Sequence, residues 1–399
     1  MKPNLAGSPT ATQHRRPRVI VYGYYGSRNL GDDLLLMVTL DRLRALMPGA
    51  QFLVRDHGHL AETDGLGDDV TAIDIERLMA DQRRHKVRRV IGYLAAWRRL
   101  LSRADWLIVG GGTLFHARGS NSLLLLQRAI FGMARMRGVR QVALGVGISE
   151  LSDRKSRWLL AGIIRQFDAF LVRDQSGLAQ CTGTRAEIGG DLVFAWSPAK
   201  PLHAQADLRL DQEPAFALTV YPPACTDDAV IEQLRFTVDS LVTSGRRVVF
   251  LVFQRSGAAA GDTAVFERIS AGMQPERRPA VRILTANASD LATDLADIGV
   301  VIGMRFHALV LAALMGKPFV GLAHDNKISD LCRRFDMPTL NPAAADLGRR
   351  FLAVLDTARL ATPAPEQIDR EARAAERNFS RLAEIVAAHG DRAGRPERT

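Results

Sequence analysis

DIGVVIGMRFHALVLAALMGKPFVGLAHDNKISDL, residues 297–331, holds two apolar runs around one apolar helical pattern. Gly299–Ile302 is a short apolar run that reads as a buried strand stopping at Gly303. Arg305 and His307 then open an apolar helical pattern that ends at Gly316, a residue suited to the left-handed turn after a helix. A second apolar run, Phe319–Leu322, leads into a polar loop carrying His324, Asp325 and Lys327. Strand, helix and strand in so short a span make a βαβ unit, which belongs to a parallel sheet covered by helices.

Working outward, the same alternation fills most of the chain. Candidate strands at Ala215–Val220, Arg247–Phe253 and Val281–Leu284 precede the unit. An earlier series lies at Arg18–Tyr22, Gln51–Val54, Trp106–Val109, Gln141–Leu144 and Ala169–Val172. Between the series stands SPAKPLHAQADLRLDQEP, Pro-rich, polar and without periodicity, as a linker should be. At 399 residues the chain is longer than a single core usually grows. We therefore expect an α/β protein with two Rossmann-like domains, 18–197 and 215–340, facing across a cleft. A linker at 198–214 joins them, a disordered leader covers 1–17, and C-terminal helices with a frayed tail cover 341–399. Those helices are expected at Asp346–Leu360 and Glu366–Ala388. In such sheets ligands sit beyond the carboxyl ends of the strands.

Composition removes several classes. With 47% hydrophobic and 24% charged residues, the chain is neither disordered nor fibrous. Cys181, Cys225 and Cys332 are too far apart for a disulfide framework or a zinc site, so no metal is expected and a reducing, cytoplasmic setting fits. No signal-peptide pattern opens the sequence, and no apolar run is long enough to span a bilayer. The net charge of +10 points to anionic partners.

The functional motifs follow strands. In VIVYGYYGSRNLGDDLLLMVTLDRL, residues 19–43, Gly26 and Gly31 have P-loop spacing, but Asp32 stands where the lysine must be. Two acids at a helix start repel phosphate. One reads as a cap, and with Asn29 and Gly31 the turn suits sugar hydroxyls. Gly110, Gly111 and Gly112 in WLIVGGGTLF end another strand and admit a ligand to backbone amides, an acceptor side with Asn29, Gly31 and Asp32. ALGVGIS, residues 143–149, is a further strand ending in glycines. Arg173 closes the strand of FLVRDQS, and Arg305, His307 and Lys327 follow strands of the second half. Arginine forks and a lysine suit a carboxylate or phosphate. Arg305 and His307, two apart, converge only if Arg305 lies at the helix mouth, because such residues do not share a helix face.

Between Asp81 and Asp105 there is no acid, and eight Arg or Lys surround Val87, Ile91, Leu94, Trp97 and Leu101. Residues 82–104 read either as a core helix with a solvated basic face or as a peripheral contact with an anionic membrane. A nucleic-acid partner is not expected: aromatic residues are only 6% and no binding module is present.

In this order, YYGSRNLGDD, VGGGTLF, LGVGIS, VRD, GGD (189–191) and GMRFHALVLAALMGKPFVGLAHDNK resemble the polysaccharide pyruvyl transferase family. The resemblance spans residue 19 to about 335. It implies a fold like the two-domain GT-B glycosyltransferases. It also implies transfer of a pyruvyl group from phosphoenolpyruvate to a sugar, which in such pathways is often lipid-linked, with no cofactor besides that substrate. Arg173, Arg305 and His307 then engage the donor, with Lys327 nearby, and His307 and Arg305 act in catalysis. His324 replaces a tyrosine frequent in the family, and Ile148–Ser149 replaces a Gly-Pro. A nucleotide-sugar glycosyltransferase and a catalytically silent scaffold of a polysaccharide assembly complex are the rival readings.

Overall fold

A computed structural model describes residues 15–80, 85–117, 119–196, 214–255, 261–357 and 361–393. Most of the expected leader and linker, residues 1–14 and 198–213, lie outside it. The first half alternates β1 (Arg18–Tyr22), α1 (Leu30–Leu46), β2 (Gln51–Arg55), β3 (Val70–Ile73), α2 (Arg77–Ala80), α3 (Lys86–Leu101), β4 (Trp106–Gly110), β5 (Thr113–Phe115), α4 (Ser122–Met136), β6 (Arg140–Ile148), α5 (Arg154–Ile164), β7 (Ala169–Val172), α6 (Gln175–Ala179) and β8 (Glu187–Ile188). The second comprises β9 (Ala215–Thr219), α7 (Asp228–Thr243), β10 (Val248–Val252), α8 (Asp262–Ala271), β11 (Val281–Thr285), α9 (Leu291–Asp294), β12 (Ile298–Gly303), α10 (Phe306–Leu314), β13 (Phe319–Leu322), α11 (Asn326–Arg334), β14 (Thr339–Leu340), α12 (Leu347–Thr357) and α13 (Pro365–Ala393).

Two parallel sheets result, ordered β3-β2-β1-β4-β6-β7-β8, with β5 beside β6, and β11-β10-β9-β12-β13-β14. Central strands such as β4 and β9 are buried along their whole length, as strands covered on both faces must be. In each sheet the winding reverses once, between β1 and β4 and between β9 and β12. These reversals open crevices at the strands' carboxyl ends, where the glycine turn before α1 and the Gly303–Arg305 turn stand. This is the pair of Rossmann-like domains that the sequence predicts.

One face of the first sheet packs on α3, α4 and α5 through Trp97, Phe131 and Ile163. The other packs on α1 and α13. The last helix thus crosses back to the first domain. Its buried Asn378 accepts the Gly145 amide at 2.8 Å and donates to the carbonyl of Gly190. A side chain at Gly189 would lie 2.3 Å from the Asn378 amide oxygen, so this glycine of GGD serves helix packing.

Three local expectations change. β6 does not end at Leu144: Gly145 and Gly147 lie within it, and Gly145 takes φ +55° where Asn378 and Gly190 press on the strand. β3, β5, β8 and β14, only two to four residues each, carry too short a pattern to be seen. On α3 the single apolar stripe divides: Trp97 and Leu101 are buried, with Tyr93 taking the next inward turn. Val87 and Ile91 point outward, 58% and 61% exposed. Arg83 and Arg84 of that stretch lie outside the described residues.

Candidate active site

The turn between β1 and α1 is built by Asn29, whose side-chain oxygen accepts from the amides of Gly31 and Asp32 and caps the helix. Its amide nitrogen donates to Gln254 of the second domain at 3.0 Å. Next to it the Leu30 amide donates to the Phe253 carbonyl, and Arg255 pairs with buried Asp33 at 3.0 Å. The cap is therefore Asn29 rather than either aspartate. Asn29 and Asp33 join the domains, and Asp32 is left facing the cleft.

A cavity of ≈ 290 Å³ lies where the two sheets' crevices meet. Asn29, Asp32, Gly112 and Arg173 line it from the first domain, and Arg305, His307 and Lys327 from the second. Gly31 sits just behind: a side chain there would come within 2.2 Å of His307 Nδ1. Gly110 and Gly111 face inward instead, towards Tyr25 and Leu35. Of the triplet only Gly112 reaches the cavity, its φ of +67° turning the chain past Asp32.

Each arginine is held by a carboxylate. Arg173, 4% exposed, donates through Nε to Asp174 at 2.9 Å and lies over the Phe306 ring. Asp174 is itself fixed by Ser176 and the Gly177 amide at the start of α6. Burial opposes the Asp174 charge, but Arg173 and these donors outweigh it and bring the carboxyl down to about 2. The terminal nitrogens of Arg173 make no hydrogen bond among the described residues, which leaves an end-on fork for an anion. Arg305 stands in extended backbone immediately before α10, at the helix mouth that convergence with His307 requires. Its Nε donates to the Val220 carbonyl at 2.8 Å and its Nη2 to fully buried Asp262. Lys327 pairs with Asp325 at 2.9 Å.

His307 is gripped from behind. Its Nε2 lies 3.5 Å from Oδ2 of Asp191, whose Oδ1 accepts the Val193 amide. Burial would raise the Asp191 carboxyl, yet His307 and Arg173 hold it below the usual carboxylate value. Asp32 goes the other way: burial lifts it to about 6, although His307 and Arg305 pull it down. A carboxyl near 6 beside an imidazole is suited to proton exchange around neutral pH. His324, stacked on Tyr221 at 4.5 Å, has its pKa lowered by burial, so it is neutral at pH 7. Tyr221 also lies 5.3 Å beneath the Arg305 guanidinium.

These residues follow strands of both sheets, and the match to a known family is equally broad. A model of the polysaccharide pyruvyl transferase family matches residues 29–326. The chain belongs to that family. It is thus an enzyme of polysaccharide modification, and a sugar is its acceptor. No curated protein matches it in sequence.

Solved structures confirm the GT-B-like fold. The UDP-GlcNAc 2-epimerase of Neisseria meningitidis, bound to UDP-GlcNAc, is similar at TM-score 0.58 with 9% identity, over 92% of this chain and 100% of that one. Anabaena HepE, in complex with UDP and glucose, gives TM-score 0.58 and 12% identity over 94% and 100%. The UDP-GlcNAc 2-epimerase of Methanocaldococcus jannaschii gives 0.57 and 7% over 90% and 99%.

For a pyruvyl transferase, the sequence overlooked Asp191, Asp262 and Tyr221. Asp191 was visible within GGD, but its partnership with His307 is a tertiary contact between domains. Asp262 and Tyr221 belong to no motif and owe their place to folding alone. Conversely Lys317, from the distinctive GKP, donates to the carbonyls of Leu295 and Ala296 and braces β12 rather than the cavity. A second cavity of ≈ 610 Å³ adjoins the first, sharing Thr113, Arg173, His324 and Lys327 and adding Ser149, Glu150, Ser176 and Gln180. It offers the hydroxyl and carboxylate groups that recognise sugars.

Proposed function

We propose that the enzyme transfers the pyruvyl group of phosphoenolpyruvate to sugar hydroxyls and releases phosphate. One observation carries this reading: Arg173 and Arg305, from different domains, flank His307 and Asp32 in one small cavity. A three-carbon donor bearing a carboxylate and a phosphate needs two cationic grips and a proton donor in a small volume. Arg173 takes one anionic group on its terminal nitrogens and Arg305 the other, with Lys327 assisting. His307 delivers a proton to the methylene carbon, so that C2 becomes electrophilic, or to the departing phosphate. Asp32 accepts the proton of the attacking hydroxyl. If a second hydroxyl of the same sugar then displaces phosphate, a cyclic ketal forms, and the two hydroxyl protons balance the new methyl hydrogen and the protonated phosphate.

The solved relatives bound to UDP or UDP-GlcNAc favour a nucleotide-sugar donor as the second reading. Thermal-shift titration separates the two. Stabilisation by phosphoenolpyruvate, lost on Arg173→Ala, supports the proposal. Stabilisation by nucleotide sugars alone overturns it.

A further inference from the structure

Helices α3, α4 and α5 lie side by side on one face of the first sheet. Together they carry ten Arg or Lys, five, two and three in turn, and not one Asp or Glu. Ten is also the net charge of the whole chain, so the remainder is balanced. Nine of the ten form no ion pair among the described residues; Arg135 alone has one, with Asp168 at 3.7 Å. The opposite face is different, since α13 mixes six acids with five arginines.

Among the described residues, the same helices carry most of the exposed large apolar side chains. Val87 and Ile91 of α3, Leu125 of α4 and Trp158 of α5 are 50–61% exposed. These four stand in the first two turns of their helices, whereas Met136, 79% exposed, stands at the far end of α4. In a parallel α/β layer those ends lie beside the strands' carboxyl ends, the side on which the cleft opens. Arg128 lies 4.4 Å over the Trp158 ring, so cation and indole form one amphipathic unit.

We infer that this three-helix face docks on an anionic lipid leaflet, with Trp158, Leu125, Ile91 and Val87 entering the interface and the basic residues meeting phosphate headgroups. Exposed apolar side chains at one rim, embedded in unpaired positive charge, are what a headgroup–acyl boundary rewards. A nucleic acid would use the charge but has no call for aliphatic Val87, Ile91 and Leu125. Docked in this way, the cleft opens at the membrane, where a lipid-linked sugar would present its hydroxyls. That consequence for the acceptor rests on the pyruvyl-transfer reading, whereas the docking itself does not.

Cosedimentation of the full chain tests it, with phosphatidylcholine vesicles and with vesicles also containing phosphatidylglycerol, and without phosphoenolpyruvate. We expect binding to the anionic vesicles at low salt, weakening as salt rises. Each basic residue removed, as in Arg88→Ala or Lys155→Ala, lowers partitioning about fivefold. Ile91→Ala with Trp158→Ala lowers it several-fold at every salt concentration. All variants keep the wild-type melting temperature, since the replaced side chains are exposed. Failure of the wild-type chain to bind anionic vesicles at low salt overturns the inference. So does equal binding by the Ile91/Trp158 variant, or capture of an RNA homopolymer in preference to vesicles. None of these results touches the donor assignment, which is read by titration in solution.

Discussion

Nε2 of His307 and Oδ2 of Asp191 lie 3.5 Å apart, and neither atom has a hydrogen-bond partner among the described residues. One comes from the second domain and the other from the first, so the imidazole is oriented only when the domains are together. With its Nε2 edge on Asp191, the ring turns Nδ1 towards Gly31. Asp191→Asn removes the carboxylate charge facing the ring while keeping the shape. We expect kcat to fall about 10²- to 10⁴-fold with little change in donor affinity, by analogy with carboxylate–histidine pairs elsewhere. The melting temperature should stay close to that of the parent, whereas a purely structural role would lower it.

Gly31→Ala tests the same contact from the other side. A methyl group there meets His307 Nδ1 at 2.2 Å and its Cβ at 3.0 Å, so the ring must leave Asp191. Helix propensity alone favours alanine over glycine. Activity should therefore drop at least tenfold without loss of thermal stability, as enzyme assay and melting temperature together would show.

Asp32, lifted to about 6 by burial, predicts two opposite effects. In the proposed role of base it must be ionised, so kcat/KM should rise with pH through about 6 in the free enzyme. Its folded value lies above that of the unfolded chain, so the folded state binds the proton more tightly. Stability attributable to Asp32 is then lost as pH rises between about 4 and 6. Asp32→Asn should accordingly be more stable than the parent at neutral pH, by on the order of 2 kcal/mol, while losing activity. Denaturant titrations at acid and neutral pH measure the difference.

Arg305 anchors Asp262, whose carboxylate is fully buried and also accepts the amides of Phe253 and Gln254. Arg305→Ala strands that charge and should cost ~3–5 kcal/mol of stability. Arg305→Lys keeps a cation but not the fork that spans Asp262 and the Val220 carbonyl. It should fold and show a KM for phosphoenolpyruvate raised at least tenfold, which steady-state kinetics can read.

The strands that could be placed from sequence are those buried on both faces. β1, β7 and β13 run as expected from end to end because a continuous apolar run between breakers leaves little choice. β3 escaped notice because two of its four residues are exposed. Among residues lining the cavity, Arg173, Arg305 and His307 were legible because each follows a strand, where an open sheet places its ligands. Asn29 was legible as a site residue but not as a cap and domain tie, since its partner Gln254 is 225 residues away. The basic helix was legible in its charge but not in its rotation. Tyr93, which donates to Glu76 at 2.9 Å, turns inward and leaves Val87 and Ile91 outside.

The proposed donor is phosphoenolpyruvate, activated between Arg173, Arg305 and His307. Its most direct test is phosphate release from phosphoenolpyruvate in the presence of acceptor oligosaccharides, followed by mild acid treatment of the product. Phosphate and acid-released pyruvate are expected in equal amounts from the wild-type enzyme, and neither from His307→Ala. Undiminished phosphate release by His307→Ala, or no release by the wild-type enzyme from any acceptor that it glycosylates with a nucleotide sugar, would contradict this assignment.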